Sequence, residues 1–118
     1  MSSWQRRLGR LPARELGGGL RVHDARGVLA RGRGLGGLDA LPADCALHLR
    51  ARAVHTFTMR FALDLIWMGR DGEVVRVDRG VPPRRHRTCR RARAVIETNA
   101  GCADRFLSEG VGGYTPSR

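Results

Sequence analysis

The chain has 118 residues and a mass of 13.0 kDa, which fits one domain and excludes a multidomain protein. Hydrophobic residues make up 42% of it, enough to bury a core, so wholesale disorder is also excluded. No apolar stretch approaches the roughly 20 residues that a membrane helix needs. The arginine-rich start lacks the apolar segment of a secretory signal, so we expect a cytoplasmic protein.

The net charge is +11, from 22 basic and 11 acidic residues, and every basic residue is arginine. A field of this size attracts phosphates, nucleic acid and anionic surfaces. The complete absence of lysine also points to GC-rich codon usage. Charge alone is therefore weak evidence for a function.

The first 19 residues are predicted to form a flexible basic tail. Three apolar residues fall at helical spacing there, but a proline and three consecutive glycines, Gly17 to Gly19, end the pattern. We place a single β-rich domain at residues 20–110. Residues 111–118 are glycine-rich, and we expect a weakly ordered end there.

The domain is predicted to begin with a short strand at 20–25, where apolar and polar residues alternate. A short helix weakened by internal glycines is expected near residues 26–37. The remaining elements are a strand at 46–49, two strands at 53–59 and 62–68, a return strand at 73–78, a strand at 94–98 and a helical turn at 103–107.

Two parts of this pattern are most informative. Residues 62–68 are nearly all apolar, which indicates a strand buried on both faces. Arg70, Asp71 and Gly72 after it have the chemistry of a hairpin turn. Two prolines then open an arginine-rich loop at 84–91.

The order of five segments resembles the bacterial and archaeal family called domain of unknown function 192, over residues 20–110. The segments are Arg31–Leu35, Val54–Phe61, Leu63–Leu65, Asp71–Val75 and Val95–Gly101. The most specific part is His-Thr-Phe-x-Met-Arg-Phe-x-Leu-Asp, followed by Asp-Gly. The resemblance implies a mainly β (α+β) fold, a compact antiparallel β-barrel or sandwich with a small helix. It implies no established reaction.

Asp64 lies inside the most apolar strand, where an ionised carboxylate costs several kcal/mol unless it is paired. Its expected partners are Arg60 and Arg31. The pair either fixes the strand register from inside or lines a pocket for a small polar or anionic ligand. The candidate pocket residues are Arg31, His55, Met59, Arg60 and Asp64.

No metal or cofactor is predicted. His55 and Met59 face the same side of one strand, but a copper site needs more ligands, and the three cysteines contain no CxxC pair. Glu97 is predicted to face outward and to pair with an arginine of the 84–91 loop.

The leading functional hypothesis is a small binding or accessory domain. One alternative is an enzyme that uses Asp64 or His55 as a general base. Another is weak, non-specific nucleic-acid binding that is lost at physiological salt, because the aromatic residues fall mostly in core strands and offer no stacking platform. The phosphate or anion patch would consist of Arg84, Arg85, Arg87, Arg90 and Arg91. The oligomeric state stays open.

Overall fold

The computed structural model describes residues 3–25 and 35–111, and its described part is mostly β, with eight strands and two short helices. The helices are α1 (Ser3–Leu8) and α2 (Ala103–Ser108). The strands are β1 (Ala13–Glu15), β2 (Arg21–Asp24), β3 (Cys45–Leu49), β4 (Ala53–His55), β5 (Leu63–Met68), β6 (Val74–Val81), β7 (His86–Thr88) and β8 (Ala94–Asn99).

Six strands form a central sheet in the order β1-β2-β3-β8-β5-β6, and β4 pairs with β7 in a separate small sheet. Every pair is antiparallel except β2 and β3, which run parallel. The central sheet ends at β1 and β6 and does not close into a barrel. The predicted mainly β fold is confirmed, in its sandwich-like form.

The central sheet is covered on both faces. Along β5, Leu65 and Trp67 join a core cluster that also contains Leu8 of α1, whereas Ile66 joins a second cluster with Phe106 of α2. We call these sides the α1 face and the α2 face. All six residues of β5 are buried, so the prediction of a strand buried on both faces is confirmed.

The N-terminal segment is not a flexible tail, in contrast to the sequence prediction. Leu8 is fully buried, and β1 pairs antiparallel with β2. The glycines at 17–19 form a short 3₁₀ turn in which Gly18 and Gly19 adopt positive φ, and this turn reverses the chain so that β1 lies beside β2. Gly17 to Gly19, which were predicted to end a flexible tail, therefore connect two strands of the domain.

Two further elements differ from their predictions. Strand β4 ends at His55 rather than at 59, because Thr56 begins a turn closed by a hydrogen bond from the Met59 N–H to the Thr56 carbonyl at 3.1 Å. The arginine-rich loop contains β7, whose Arg87 lies opposite Val54.

The predicted helix near 26–37 falls largely on residues 26–34, outside the described part of the chain, and residues 35–37 form a turn. Of the weakly ordered end predicted at 111–118, only Val111 is described, and it is buried.

The hairpin of β5 and β6 is confirmed, with Gly72 at positive φ in its turn. Strand β6 extends to Val81, three residues past the predicted end, because Val81 pairs with Leu63 at the far end of β5. None of the helices in residues 3–25 and 35–111 is long or apolar enough to cross a membrane.

Candidate functional site

Asp64 is only 1% exposed, and backbone N–H groups satisfy its carboxylate. Its Oδ1 accepts a hydrogen bond from Gly80 at 2.8 Å, and its Oδ2 accepts from Gly101 at 2.9 Å and Ala103 at 3.1 Å. Gly80 and Gly101 both have positive φ, a conformation that glycine adopts readily. Asp64 therefore joins β5 to β6 and to the start of α2, which is a structural role.

The predicted ion pair between Asp64 and Arg60 is wrong. Arg60 is exposed, and its guanidinium pairs with Asp39 instead. The carboxylate of Asp64 is tied to the backbone of α2 and points to the α2 face, where a side chain from the surface loop before β5 does not reach it.

The other members of the predicted pocket are dispersed. Met59 is buried in the α1-face cluster, on the opposite side of the sheet from Asp64. His55 is exposed on the small sheet, and Arg31 lies outside the described residues. The described members therefore do not meet around one cavity. Within the described residues, no group of three or more His, Cys, Asp or Glu side chains is placed to hold a metal ion.

Glu97 points inward, so its predicted surface pairing is also wrong. It is 6% exposed and lies opposite Leu47 and Leu65 on the α1 face, in the middle of the sheet. Because both faces of the sheet are covered, side chains on either side of β8 are buried, and the sequence pattern does not distinguish an outward position from an inward one. Burial raises the pKa of Glu97 to about 7.

His23 of β2 is a second buried polar residue on the α1 face, where it lies opposite Leu47 of β3. Neither ring nitrogen makes a hydrogen bond to a described residue. Burial lowers the pKa of His23, Arg21 lowers it further, and the nearby backbone carbonyl of Leu8 opposes the shift. The imidazole is therefore neutral at neutral pH.

A groove of about 290 Å³ opens on the α2 face near the β1 edge of the central sheet. Its polar groups come from three adjacent strands. The parallel register of β2 and β3 places Asp24 beside His48, and the antiparallel register of β1 and β2 places Arg14 beside Val22. The residues that line the groove are Pro12, Ala13, Arg14, Val22, Asp24 and His48.

The groove combines a guanidinium, a carboxylate and an imidazole. The Nδ1 atom of His48 lies 3.5 Å from Oδ1 of Asp24, and both side chains are partly exposed. Burial lowers the pKa of His48, Asp24 acts in the opposite direction, and Arg14 and Arg50 lower the pKa further. A mostly neutral imidazole can either donate or accept a hydrogen bond, while Arg14 provides a positive charge for an anion.

The predicted anion patch is split. Arg84, Arg85 and Arg90 are exposed without a carboxylate partner among the described residues, whereas Arg91 donates to the backbone carbonyl of Val75 at 3.2 Å. Arg87 is half-buried and donates to the carbonyl of His86. Four of the five arginines are therefore exposed, and Arg87 is half-buried.

The expectation that the aromatic residues offer no stacking platform has an exception. Phe57 is 60% exposed, and its ring stacks on His55 with centroids 5.3 Å apart and planes at 23°. Trp67 and Phe106, in contrast, are fully buried as the sequence pattern indicated.

Sequence reasoning missed the residues of the groove. Arg14 fell in the segment assigned to a tail, and Asp24 fell in the predicted strand at 20–25 without a role in a site. Asp24 and His48 are polar residues near the ends of otherwise apolar strands, which is a usable signal. Their proximity depends on the parallel pairing of β2 with β3, which a single sequence does not reveal.

Residues 13–110 match the family DUF192, described as Uncharacterized ACR. No curated protein matches significantly.

Two crystal structures have a similar fold. A protein of unknown function from Novosphingobium aromaticivorans DSM 12444 is 21% identical, with a TM-score of 0.65 over 75% of this chain and 69% of the other. A "putative transcription regulator" from Sinorhizobium meliloti 1021 is 23% identical, with a TM-score of 0.66 over 79% of this chain and 78% of the other. At these identities the likeness concerns the fold alone. Since the family match spans most of the sequence, the chain belongs to the uncharacterised family DUF192.

Proposed function

We propose that this chain is a small non-catalytic binding domain that holds a small molecule with an anionic group and a hydroxyl group in the groove beside β1. One observation carries the proposal: the groove brings Arg14, Asp24 and His48 together around about 290 Å³ of space. A cavity with a few converging polar groups is the usual form of a ligand site.

Each polar group has a distinct role in this proposal. The Arg14 guanidinium binds the anionic group, in the forked geometry that suits a carboxylate or a phosphate. Asp24 accepts a hydrogen bond from the hydroxyl of the ligand. His48, next to Asp24, donates to or accepts from the ligand with Nε2, and Val22 provides an apolar floor.

The proposed ligand class is the one predicted from the sequence, but the proposed site is the groove and not a pocket around Asp64. The three backbone hydrogen bonds to Asp64 leave that carboxylate no role in holding a ligand. A general-base role for Asp64 is unsupported for the same reason.

We also infer a cytoplasmic location. The three cysteines Cys45, Cys89 and Cys102 are unpaired, which suits a reducing compartment.

A thermal-shift screen over small anionic metabolites and sugar acids tests the proposal. A ligand at a hundredfold excess over its Kd stabilises the folded state by about 2.7 kcal/mol, which raises Tm by several degrees. We expect R14A and D24N to abolish the shift while R10A, which removes an exposed charge outside the groove, retains it. A shift that survives both groove variants would contradict the proposal.

The His48 and Asp24 pair also favours a second candidate, a hydrolase or isomerase with His48 as general base. A carboxylate beside one ring nitrogen orients the imidazole and leaves the other nitrogen for proton transfer. One measurement distinguishes a binding domain from an enzyme. If the stabilising ligand is recovered unchanged after prolonged incubation, the binding domain is supported, and if wild type converts it while H48A only binds it, the enzyme is supported.

A further inference from the structure

The small sheet of β4 and β7 shares no residue with the groove. We propose that the surface of this sheet binds single-stranded nucleic acid, with a base stacked on Phe57 and the phosphates held by Arg84 and Arg85. The proposal does not depend on the function of the groove.

Phe57 has the position of a stacking platform. It is one of two large hydrophobic residues that are exposed among the described residues, and its ring is 60% accessible. The ring already stacks on His55, which faces outward from β4 opposite His86 of β7. An unpaired base usually binds to the exposed face of an aromatic ring whose other face is packed against a neighbouring group.

Buried Thr56 holds Phe57 and the arginines in fixed relative positions. Its hydroxyl donates to the carbonyl of Pro82 at 2.7 Å and accepts from the N–H of Arg85 at 2.8 Å. Its backbone N–H donates to the Arg85 carbonyl, and its carbonyl accepts from the Arg84 N–H, at 2.8 and 3.0 Å. Because Phe57 follows Thr56 directly, Phe57 and the backbones of the two arginines lie at one end of the small sheet. The Arg85 guanidinium also donates to the Arg84 carbonyl at 3.2 Å.

The two segments that form this surface carry only positive charge, and Asp39 of a neighbouring segment pairs with Arg60. Residues 45–63, which contain β4, and residues 79–96, which contain β7, include no aspartate or glutamate. Arg84 and Arg85 are exposed, and neither pairs with a carboxylate in the described part of the chain. Guanidinium groups in this state bind phosphate oxygens and release the counterions of a nucleic acid.

The combination of ring and charge favours a single strand over other anions. A duplex offers phosphates but keeps its bases stacked inside, and the carboxylates of an acidic peptide or the headgroups of an anionic membrane include no aromatic base to stack on the ring. Bases of a single strand stack on an aromatic side chain whatever their sequence. We therefore expect affinity without strong sequence preference.

Fluorescence anisotropy of the full chain tests the site with three labelled probes of equal length: an oligothymidine strand, an abasic strand and a duplex. Wild type should bind oligothymidine about fivefold or more tightly than the abasic strand. We expect F57A to remove that difference and leave abasic binding unchanged. F57W should restore it, and V74A, which truncates the other exposed hydrophobic residue, should not alter it.

The arginines are tested by the salt dependence. R84A/R85A should weaken binding to all three probes and reduce the slope of log K against log salt by about 1.4 for the single strands. R10A/R70A, which removes two exposed charges elsewhere, should change the slope by less than half of that. Equal affinity for oligothymidine and the abasic strand, or equal slopes for the two double variants, would overturn the proposal. Tighter binding of the duplex than of the single strand would overturn it as well.

Discussion

Asp64 and Asp24 lie on strands of the same central sheet and have opposite surroundings. Asp64 is 1% exposed, and three backbone N–H groups occupy its carboxylate. Asp24 has a side chain that is 35% exposed in a groove, next to an imidazole. A buried and saturated carboxylate holds strands together, whereas a partly exposed one beside a titratable group can meet a ligand. Asp64, which stands out in the sequence because it interrupts an apolar strand, is thus the carboxylate with the structural role.

Removing the buried carboxylate should have the largest effect. D64A leaves the N–H groups of Gly80, Gly101 and Ala103 without an acceptor, and we expect a loss of roughly 3 to 5 kcal/mol in the free energy of unfolding. D64N keeps one carbonyl oxygen as an acceptor and should lose less. Chemical denaturation of both variants gives the values. A loss below 1 kcal/mol for D64A would show that these hydrogen bonds do not stabilise the fold.

The groove exists only if the N-terminal segment packs with the domain. L8A removes a fully buried side chain of the core on the α1 face, and we expect a cost of about 2 to 5 kcal/mol. L11A, at a half-buried position, is the matched control and should cost less. If urea denaturation shows no difference between L8A and wild type, residues 3–19 are a tail and the groove loses its β1 wall.

Glu97 is a third carboxylate for this comparison, because it is buried and, among residues 3–25 and 35–111, no backbone N–H donates to it as three do to Asp64. Its folded-state pKa is raised from 4.5 to about 7, so the folded protein binds a proton that the unfolded chain has already released. This contribution to stability is fully present below pH 4.5 and is lost as the pH rises to about 7. The slope reaches about 1.4 kcal/mol per pH unit.

Denaturation of wild type and E97Q between pH 4 and pH 8 measures this contribution. The glutamine variant stays neutral throughout, so its advantage over wild type should grow with pH across that window and level off above pH 7. Histidine titration affects both proteins equally and cancels in the difference. Parallel stability curves would contradict a raised pKa for Glu97.

The surface pair of Arg60 and Asp39 should have the smallest effect. Both side chains are more than half exposed, and exposed ion pairs contribute about 0 to 1 kcal/mol. A double-mutant cycle with R60A and D39A should therefore give a coupling energy in this range that disappears in high salt. A larger coupling energy that resists salt would mean that Arg60 is held in a buried network.

The local elements were largely predictable, and the long-range arrangement was not. The alternation in β2, the apolar run of β5 and the turn at Gly72 each follow from neighbouring residues. The parallel pairing of β2 with β3 joins distant segments, and it creates the contact between Asp24 and His48. Glu97 looked like a surface residue because it is charged, and its pairing with β5, the strand buried on both faces, is a long-range contact that a single sequence does not reveal.

The exposed ring of Phe57 also escaped prediction. Its β-branched neighbours Thr56 and Thr58 resemble a continuing strand, but the hydrogen bonds of Thr56 end the strand and turn the chain outward. Hydrogen bonding to a distant segment, residues 82–85, decides the outcome.

Mapping by ¹⁵N-resolved amide chemical shifts most directly tests the proposal that the groove beside β1 binds a small molecule. With a ligand from the thermal-shift screen, we expect the largest changes in amide chemical shift at Arg14, Asp24 and His48. The amides of Gly80 and Gly101, which are bound to Asp64, should stay unchanged. Shifts centred on those two glycines, with none in the groove, would contradict it.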